Sequence, residues 1–248
     1  MRTSRRGDAP HAGWTSEVAS GFALAGFLAL VFVAFTLLAM GPMMKFDAYF
    51  NLDAPPEGWL PFLHVLDRIG QRAVNLPILG VFTFLVCRRQ ESWRPAVVAA
   101  LSVFTLNLVV LILKVVLARS EPVTADPSFF AGGLAYPSGH SANIVLVYGL
   151  VAYLLSRYYS IGRRTKTLLW GIVAFLSVTM LVTSMTLNWH WFADLIAGFL
   201  VGGVVLELTA TIDRAVPATS FAHGWRHGVR GLVTAARPGK SRGHEGPA

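Results

Sequence analysis

Five long apolar stretches restrict this chain to a membrane. At a rise of 1.5 Å per residue, each is long enough to cross a hydrocarbon core of about 30 Å. The stretches cover approximately residues 19–42, 95–117, 140–160, 167–187 and 193–212. A sixth, residues 72–87, is shorter and carries Asn75 and Pro77. Because 54% of the residues are hydrophobic and only 14% are charged, we predict an all-α polytopic membrane protein with a bundle of six transmembrane helices.

The Lys and Arg residues are divided unevenly between the two ends of these six helices. Of the 21, sixteen fall on one side of the membrane. The other side receives Lys45, Arg68, Arg72, Lys114 and Arg119. Since cytoplasmic segments carry the excess of Lys and Arg, we expect both termini to be cytoplasmic in a plasma or inner membrane. The five remaining cations then face the periplasmic or extracellular side.

The domain organisation follows from the same pattern. We expect a cytoplasmic N-terminal segment over residues 1–18, a membrane domain over 19–212 and a basic, disordered cytoplasmic tail over 213–248. The net charge of +8 does not indicate a nucleic-acid partner, because its distribution matches membrane orientation. Basic residues of the tail suit anionic lipid heads, at about 1 kcal/mol per charge near the surface.

The tetrapeptide Pro137-Ser138-Gly139-His140 stands between two apolar stretches, at the outward start of the fourth predicted helix. Polar groups at this depth in a membrane usually mark function. A helix that starts near Ser138 points unpaired backbone N–H groups and the positive end of its dipole outward, which favours an anion site. Ser138 is equally suited to be a simple N-cap.

A second polar pair, His190 and Asp194, lies in the last outward connection. On a helix these positions share one face, so Asp194 can accept a hydrogen bond from one ring nitrogen and leave the other free to react. The alternative is that Trp189 and Trp191 are interfacial aromatics with a histidine between them. The octapeptide around His190 favours neither interpretation by itself.

Two cations, Lys114 and Arg119, fall near the same side of the bilayer. Each has a structural alternative, because a Lys at a helix end can snorkel to the interface and an Arg there can anchor the helix. Those alternatives do not explain why cations, histidines and a carboxylate converge on one leaflet. We therefore predict a site that handles a phosphoryl group without a metal or other cofactor.

Taken together, Lys114, Pro122, Pro-Ser-Gly-His at 137–140, and His190 with Asp194 resemble the type 2 phosphatidic acid phosphatase family, which shares its site with vanadium-dependent haloperoxidases. The resemblance extends over about residues 60–212. A four-residue match alone is weak, but the order and spacing of three motifs make it specific.

The resemblance implies a role for each matching residue. His190 would attack phosphorus, Asp194 would hold its ring, and His140 would serve as general acid and base. The groups implied to hold the phosphate oxygens are Lys114, Arg119, Ser138 and Gly139.

The chain departs from the family pattern at two arginines. Glu121 stands where the first motif has the Arg of Arg-Pro, and Ser184 stands where the third motif has its Arg. Three explanations are open. Arg68 or Arg72 can replace the missing cations, Glu121 can recognise hydroxyls or an amine of a headgroup, or the site has lost catalysis.

The expected substrate is an amphiphile, because a site between helices at the membrane surface is reached from the lipid. Polyprenyl phosphates or diphosphates, polyprenyl-linked sugar phosphates and glycerophospholipid phosphates all fit, and the sequence does not set the oligomeric state. The alternatives to a phosphatase are an inactive relative that binds phospholipid heads, a phosphotransferase that uses the same residues with an acceptor alcohol, and a small transporter. A transporter is disfavoured because repeated halves are not evident.

Overall fold

A computed structural model of the chain describes residues 16–53 and 55–216, which are helices joined by turns and loops. The helices are α1 Ser16–Ala39, α2 Met43–Tyr49, α3 Leu60–Asp67, α4 Arg72–Gln90, α5 Arg94–Leu117, α6 Gly139–Asn143, α7 Gly149–Tyr158, α8 Arg163–Thr186 and α9 Phe192–Ala215. Most of the predicted N-terminal segment and of the predicted basic tail lies outside the described residues.

Five spans are long and apolar enough to cross a membrane, which confirms the five main predictions. They are α1, α5, α8, α9 and the continuous helix Gly139–Tyr158, in which one π turn over Ile144–Tyr148 joins α6 to α7. Their outer faces are apolar and open: Leu30 is 66% exposed and Phe175 68%. Side chains of this kind are stable against lipid rather than water.

The predicted end of the membrane domain at residue 212 is too early, since α9 continues to Ala215. Asp213 is buried, and its carboxylate pairs with Arg94 at 2.7 Å and accepts a hydrogen bond from Tyr153 at 2.7 Å. A carboxylate with these partners does not need water, so the helix extends beyond the apolar stretch.

The sixth span is broken. Helices α3 and α4 meet at an angle of 44° around Gly70 and Gln71, and together they pass as one bent span. Gln71 has an extended backbone, which interrupts the helical hydrogen bonds. At Gly70 an added Cβ would lie 3.0 Å from the Cβ of His140, which is closer than an ordinary van der Waals contact, so the break packs tightly on α6. The six-helix architecture is therefore confirmed, with a break in its second span.

Helix α9 lies at the centre of the bundle and packs against α1, α5 and α6. Its small residues allow helix α6 to approach closely, as small residues do between membrane helices. A Cβ on Gly202 would lie 3.0 Å from the Cβ of Val145, and one on Gly198 would collide with the carbonyl oxygen of Ser138. This packing fixes the Pro-Ser-Gly-His turn against the start of α9.

We predict that Gly198→Ala destabilises the protein by about 1–3 kcal/mol, because the new methyl group forces α9 away from Ser138. Gly203→Ala is the matched control on the same helix, since its Cβ would meet only Leu28 at an ordinary 3.7 Å. Thermal unfolding in detergent should show a lower midpoint for the first variant alone. Equal midpoints would contradict the packing described here.

Candidate active site

A cleft of about 550 Å³ opens at the end of the bundle where α4, α6 and α9 begin. Its lining residues are Gly70, Gln71, Arg72, Ala73, Lys114, Leu134, Gly139, His140, Asn143 and His190. Two histidines and two cations, separated by up to 118 positions in sequence, therefore share one cavity. None of the described residues that line it is a carboxylate, so the cleft suits an anion.

His190 lies beside Asp194 as predicted, but not on a helix. The ring Nδ1 is 3.4 Å from Asp194 Oδ2, and the same oxygen accepts a hydrogen bond from the backbone N–H of Trp191 at 2.9 Å. Helix α9 begins only at Phe192 because Asp194 caps its first turn. The prediction of a shared helical face is therefore wrong, although the pairing that it implied is present. Asp194 engages Nδ1, so the other ring nitrogen, Nε2, is available to a different partner.

Arg119 does not line the cleft. Its side chain is fully buried, and its guanidinium donates to Asp194 Oδ1 and to Asp47 Oδ2, both at 2.6 Å. The Nε atom donates to the carbonyl of Pro127 at 3.1 Å. This placement does not fit the phosphate contact predicted for Arg119, because the donors of its planar fork are turned to protein groups. Arg119 lies behind Asp194 and can hold that carboxylate in position.

Asp47, on the short helix α2, was not identified from the sequence. Its Oδ1 accepts a hydrogen bond from the backbone N–H of Ala193 at 3.1 Å, so the residue joins α2 to the start of α9. Burial raises the pKa of Asp47, while the Arg119 guanidinium acts to lower it. The same outward loop also contains Asp53, Glu57 and Asp67, so the sequence did not distinguish Asp47 from its other acidic residues.

His140, the second residue of α6, faces another buried carboxylate. Its Nε2 lies 3.8 Å from Oδ2 of Asp67, at the end of α3. Asp67 was also missed, because it precedes the predicted second span by only a few residues and shows no motif. The cleft therefore carries two histidines, each with a carboxylate behind it.

Ser138 caps the helix that carries His140. Its hydroxyl accepts from the backbone N–H of Ser141 at 3.4 Å, and its own N–H donates to the carbonyl of Asp194 at 2.9 Å. The side chain is fully buried and does not line the cleft, so the N-cap interpretation fits and the predicted phosphate contact does not. Gly139, which follows it, does line the cleft.

Lys114 reaches the cleft from the last turn of α5. Its ammonium group donates to the carbonyl of Leu134, whose backbone N–H donates in turn to Glu121 Oε1 at 2.9 Å. Glu121 is not a lining residue. Glu121 therefore stabilises the loop whose Leu134 carbonyl binds Lys114. This position does not fit the contact with a substrate headgroup that was considered from the sequence.

Of the two arginines considered as substitutes for the missing motif cations, one lies in the cleft. Arg72 lines the cleft, whereas Arg68 is exposed and does not. At the position of the other missing arginine, Ser184 is fully buried in α8 and its hydroxyl contacts the sulfur of Met180 at 3.2 Å. The positive charge on the cleft wall therefore comes from Lys114 and Arg72.

The helical membrane bundle and its anion cleft with paired histidines define the class as a membrane phosphatase. The family model described as PAP2 superfamily matches residues 95–216. Over 151 residues the chain is 23% identical to phosphatidylglycerophosphatase B of Bacillus subtilis (strain 168), an alignment that covers 61% of this chain and 73% of that protein.

A solved structure shares the fold. It is the crystal structure of the first transmembrane PAP2 type phosphatidylglycerolphosphate phosphatase from Bacillus subtilis, with a TM-score of 0.62 and 20% identity. The match covers 82% of this chain and 98% of that one. Residues 95–216 of the chain are therefore assigned to the PAP2 superfamily.

We predict that Arg119→Met lowers the free energy of unfolding by about 3–5 kcal/mol, because it leaves Asp47 and Asp194 buried without their cation. Arg68→Met is the matched control, since Arg68 is exposed. Unfolding in detergent with added denaturant measures the difference. If both variants unfold alike, the buried arginine does not stabilise the site as its geometry indicates.

Proposed function

We propose that this protein hydrolyses a lipid-linked phosphate monoester or diphosphate at the outer face of the membrane, through a phosphohistidine. The observation that carries the proposal is the convergence of His140, His190, Lys114 and Arg72 on one cleft. Reactive histidines beside two cations can bind a phosphoryl group, attack it and stabilise the charge that develops on it.

In the first step, Nε2 of His190 attacks phosphorus, and the bond from phosphorus to the lipid oxygen breaks as the N–P bond forms. Asp194 accepts the Nδ1 hydrogen bond and stabilises the positive charge that grows on the ring. Lys114, Arg72 and the backbone N–H of Gly139 hold the non-bridging oxygens. The leaving lipid oxygen takes a proton from His140.

In the second step, His140 takes a proton from water, and the water oxygen attacks phosphorus as the N–P bond breaks. Orthophosphate leaves, and both histidines return to their starting forms. This sequence assigns every proton to a side chain of the cleft and needs no metal or cofactor. The water is replaced by an alcohol if the enzyme transfers the group instead.

The substrate that we propose first is a phosphatidylglycerophosphate. The similar sequence and the similar solved structure, both from Bacillus subtilis, carry the name of a phosphatase for this lipid, and the cleft opens at the ends of the spans. Polyprenyl phosphates carry the same phosphoryl group on a different lipid chain. Assays with both kinds of lipid therefore distinguish the two substrate classes.

The proposed outward orientation rests on the distribution of cations. At the end of the bundle opposite the cleft, the described residues include eight: Arg88, Arg89, Arg94, Arg157, Arg163, Arg164, Lys166 and Arg214. At the cleft end Arg119 is buried and Arg72 and Lys114 line the site, which leaves Lys45 and Arg68 on the described surface. By the positive-inside rule, this distribution supports a cleft on the outer side and both termini in the cytoplasm.

We expect purified protein to release phosphate from phosphatidylglycerophosphate, and His190→Ala to abolish the release. Arg72→Ala should lower kcat/KM about ten- to hundredfold, because one charge-assisted hydrogen bond to the phosphate is lost. Arg68→Ala, four positions away and outside the cleft, is the matched control and should retain activity. Release from polyprenyl phosphate alone would move the substrate to that class. No release from any lipid phosphate would identify an inactive phospholipid-binding relative.

The orientation is tested by cysteine labelling in intact cells. In a Cys87→Ser background, Asp53→Cys lies on the connection between α2 and α3, and Ser160→Cys lies on the connection between α7 and α8. A membrane-impermeant maleimide should label the first variant and spare the second until the cells are opened. The reverse pattern would place the cleft in the cytoplasm.

A further inference from the structure

The break between α3 and α4 contributes other residues to the cleft besides the cation Arg72. Gly70, Gln71 and Arg72 all line the cavity, and Asp67 stands directly behind it. A Cβ at Gly70 would lie 3.0 Å from Cβ of His140 and 3.1 Å from its Cδ2, so the break packs on this imidazole. The second span therefore bends around His140.

Asp67 is a buried carboxylate with few partners. It is 0% exposed, its Oδ2 accepts from the Gln71 amide at 2.8 Å, and its Oδ1 has no hydrogen-bond partner among the described residues. Within those residues its one ion-pair contact is His140. A buried carboxylate left in this state is costly unless a positive group compensates it.

Asp67 differs in charge from the other ionisable groups around His140. Arg72 of α4, Lys114 of α5 and His190 before α9 line the cleft with His140, whereas the carboxylate of Asp67 of α3 lies 3.8 Å from its Nε2. Of these four, Asp67 alone can balance an imidazolium. Without it, a protonated His140 would stand among basic groups only.

We propose that Asp67 is a positioning residue that orients His140 and serves as the counter-ion for its imidazolium, so that the second span takes part in proton transfer. The inference rests on the proposed phosphatase function. The separation of 3.8 Å shortens to a hydrogen bond when His140 carries its proton, as catalytic contacts often tighten once substrate is bound.

The role is confined to two proton transfers. His140 gives its proton to the lipid oxygen while the N–P bond to His190 forms and the P–O bond breaks. It then recovers a proton from the water whose oxygen replaces His190 on phosphorus. Asp67 keeps its own charge throughout and stabilises the protonated ring before the first transfer and after the second.

The test compares Asp67→Asn with the parent on two leaving groups. An alkyl lipid phosphate needs a proton on its leaving oxygen, whereas p-nitrophenyl phosphate releases a stable phenolate without one. We expect Asp67→Asn to lower kcat for the lipid by about 10²-fold, with KM within about threefold because Asp67 does not touch the substrate. The exposed Asp53→Asn should behave as the parent.

Rapid-mixing measurements with p-nitrophenyl phosphate add a readout that a structural role would not produce. We expect a burst of p-nitrophenol at the parental rate, followed by slow turnover, because formation of phosphohistidine is spared and its hydrolysis is not. The burst should be absent from His190→Ala. A burst rate that falls as far as lipid turnover, or unchanged turnover on both substrates, would overturn the role of Asp67 while the phosphatase function stands. A parent that cleaves neither substrate would overturn both.

Discussion

The buried guanidinium of Arg119 is the contact on which the rest of the site depends. It joins three separate pieces of chain, since Asp47 comes from α2, Asp194 from α9 and Arg119 itself from the loop after α5. Phe129 and Trp191 cover it, with ring centres 4.7 and 5.6 Å from its central carbon. One cation between two carboxylates in a water-poor site tolerates little displacement, because each lost contact leaves a buried charge.

The use of Arg119 inside the protein changes the source of charge in the cleft. The cations that line the cleft are Lys114 and Arg72, and Arg72 lies directly after the break between α3 and α4. The second span is bent at this point and is not one straight membrane helix. The bend brings Arg72 into the cleft that His140 lines and places the Asp67 carboxylate 3.8 Å from Nε2 of that histidine.

The sequence predicted the spans well because hydropathy is a local property of each stretch, and five of them appear within a few residues of their expected bounds. The convergence of His140 and His190 was expected from their common side of the membrane and from the family resemblance. The partners of the charged residues were harder to predict, because a side chain such as Arg119 or Ser138 can face either the ligand or the protein, and only packing decides. Asp47 and Asp67 have no spacing signature, so their contacts emerged from tertiary structure alone.

The two carboxylates differ in a way that matches the chemistry proposed for their histidines. Asp194 accepts hydrogen bonds from Arg119 and from the Trp191 N–H and lies 3.4 Å from its imidazole, so its position is fully determined. Within the described part of the chain, Asp67 has one amide partner, one oxygen without a hydrogen bond and a longer separation from His140. A nucleophile benefits from a fixed ring, because misplacement by even 1 Å slows attack. A group that gives and then takes a proton must alternate between two charge states, and a less constrained counter-ion can follow it.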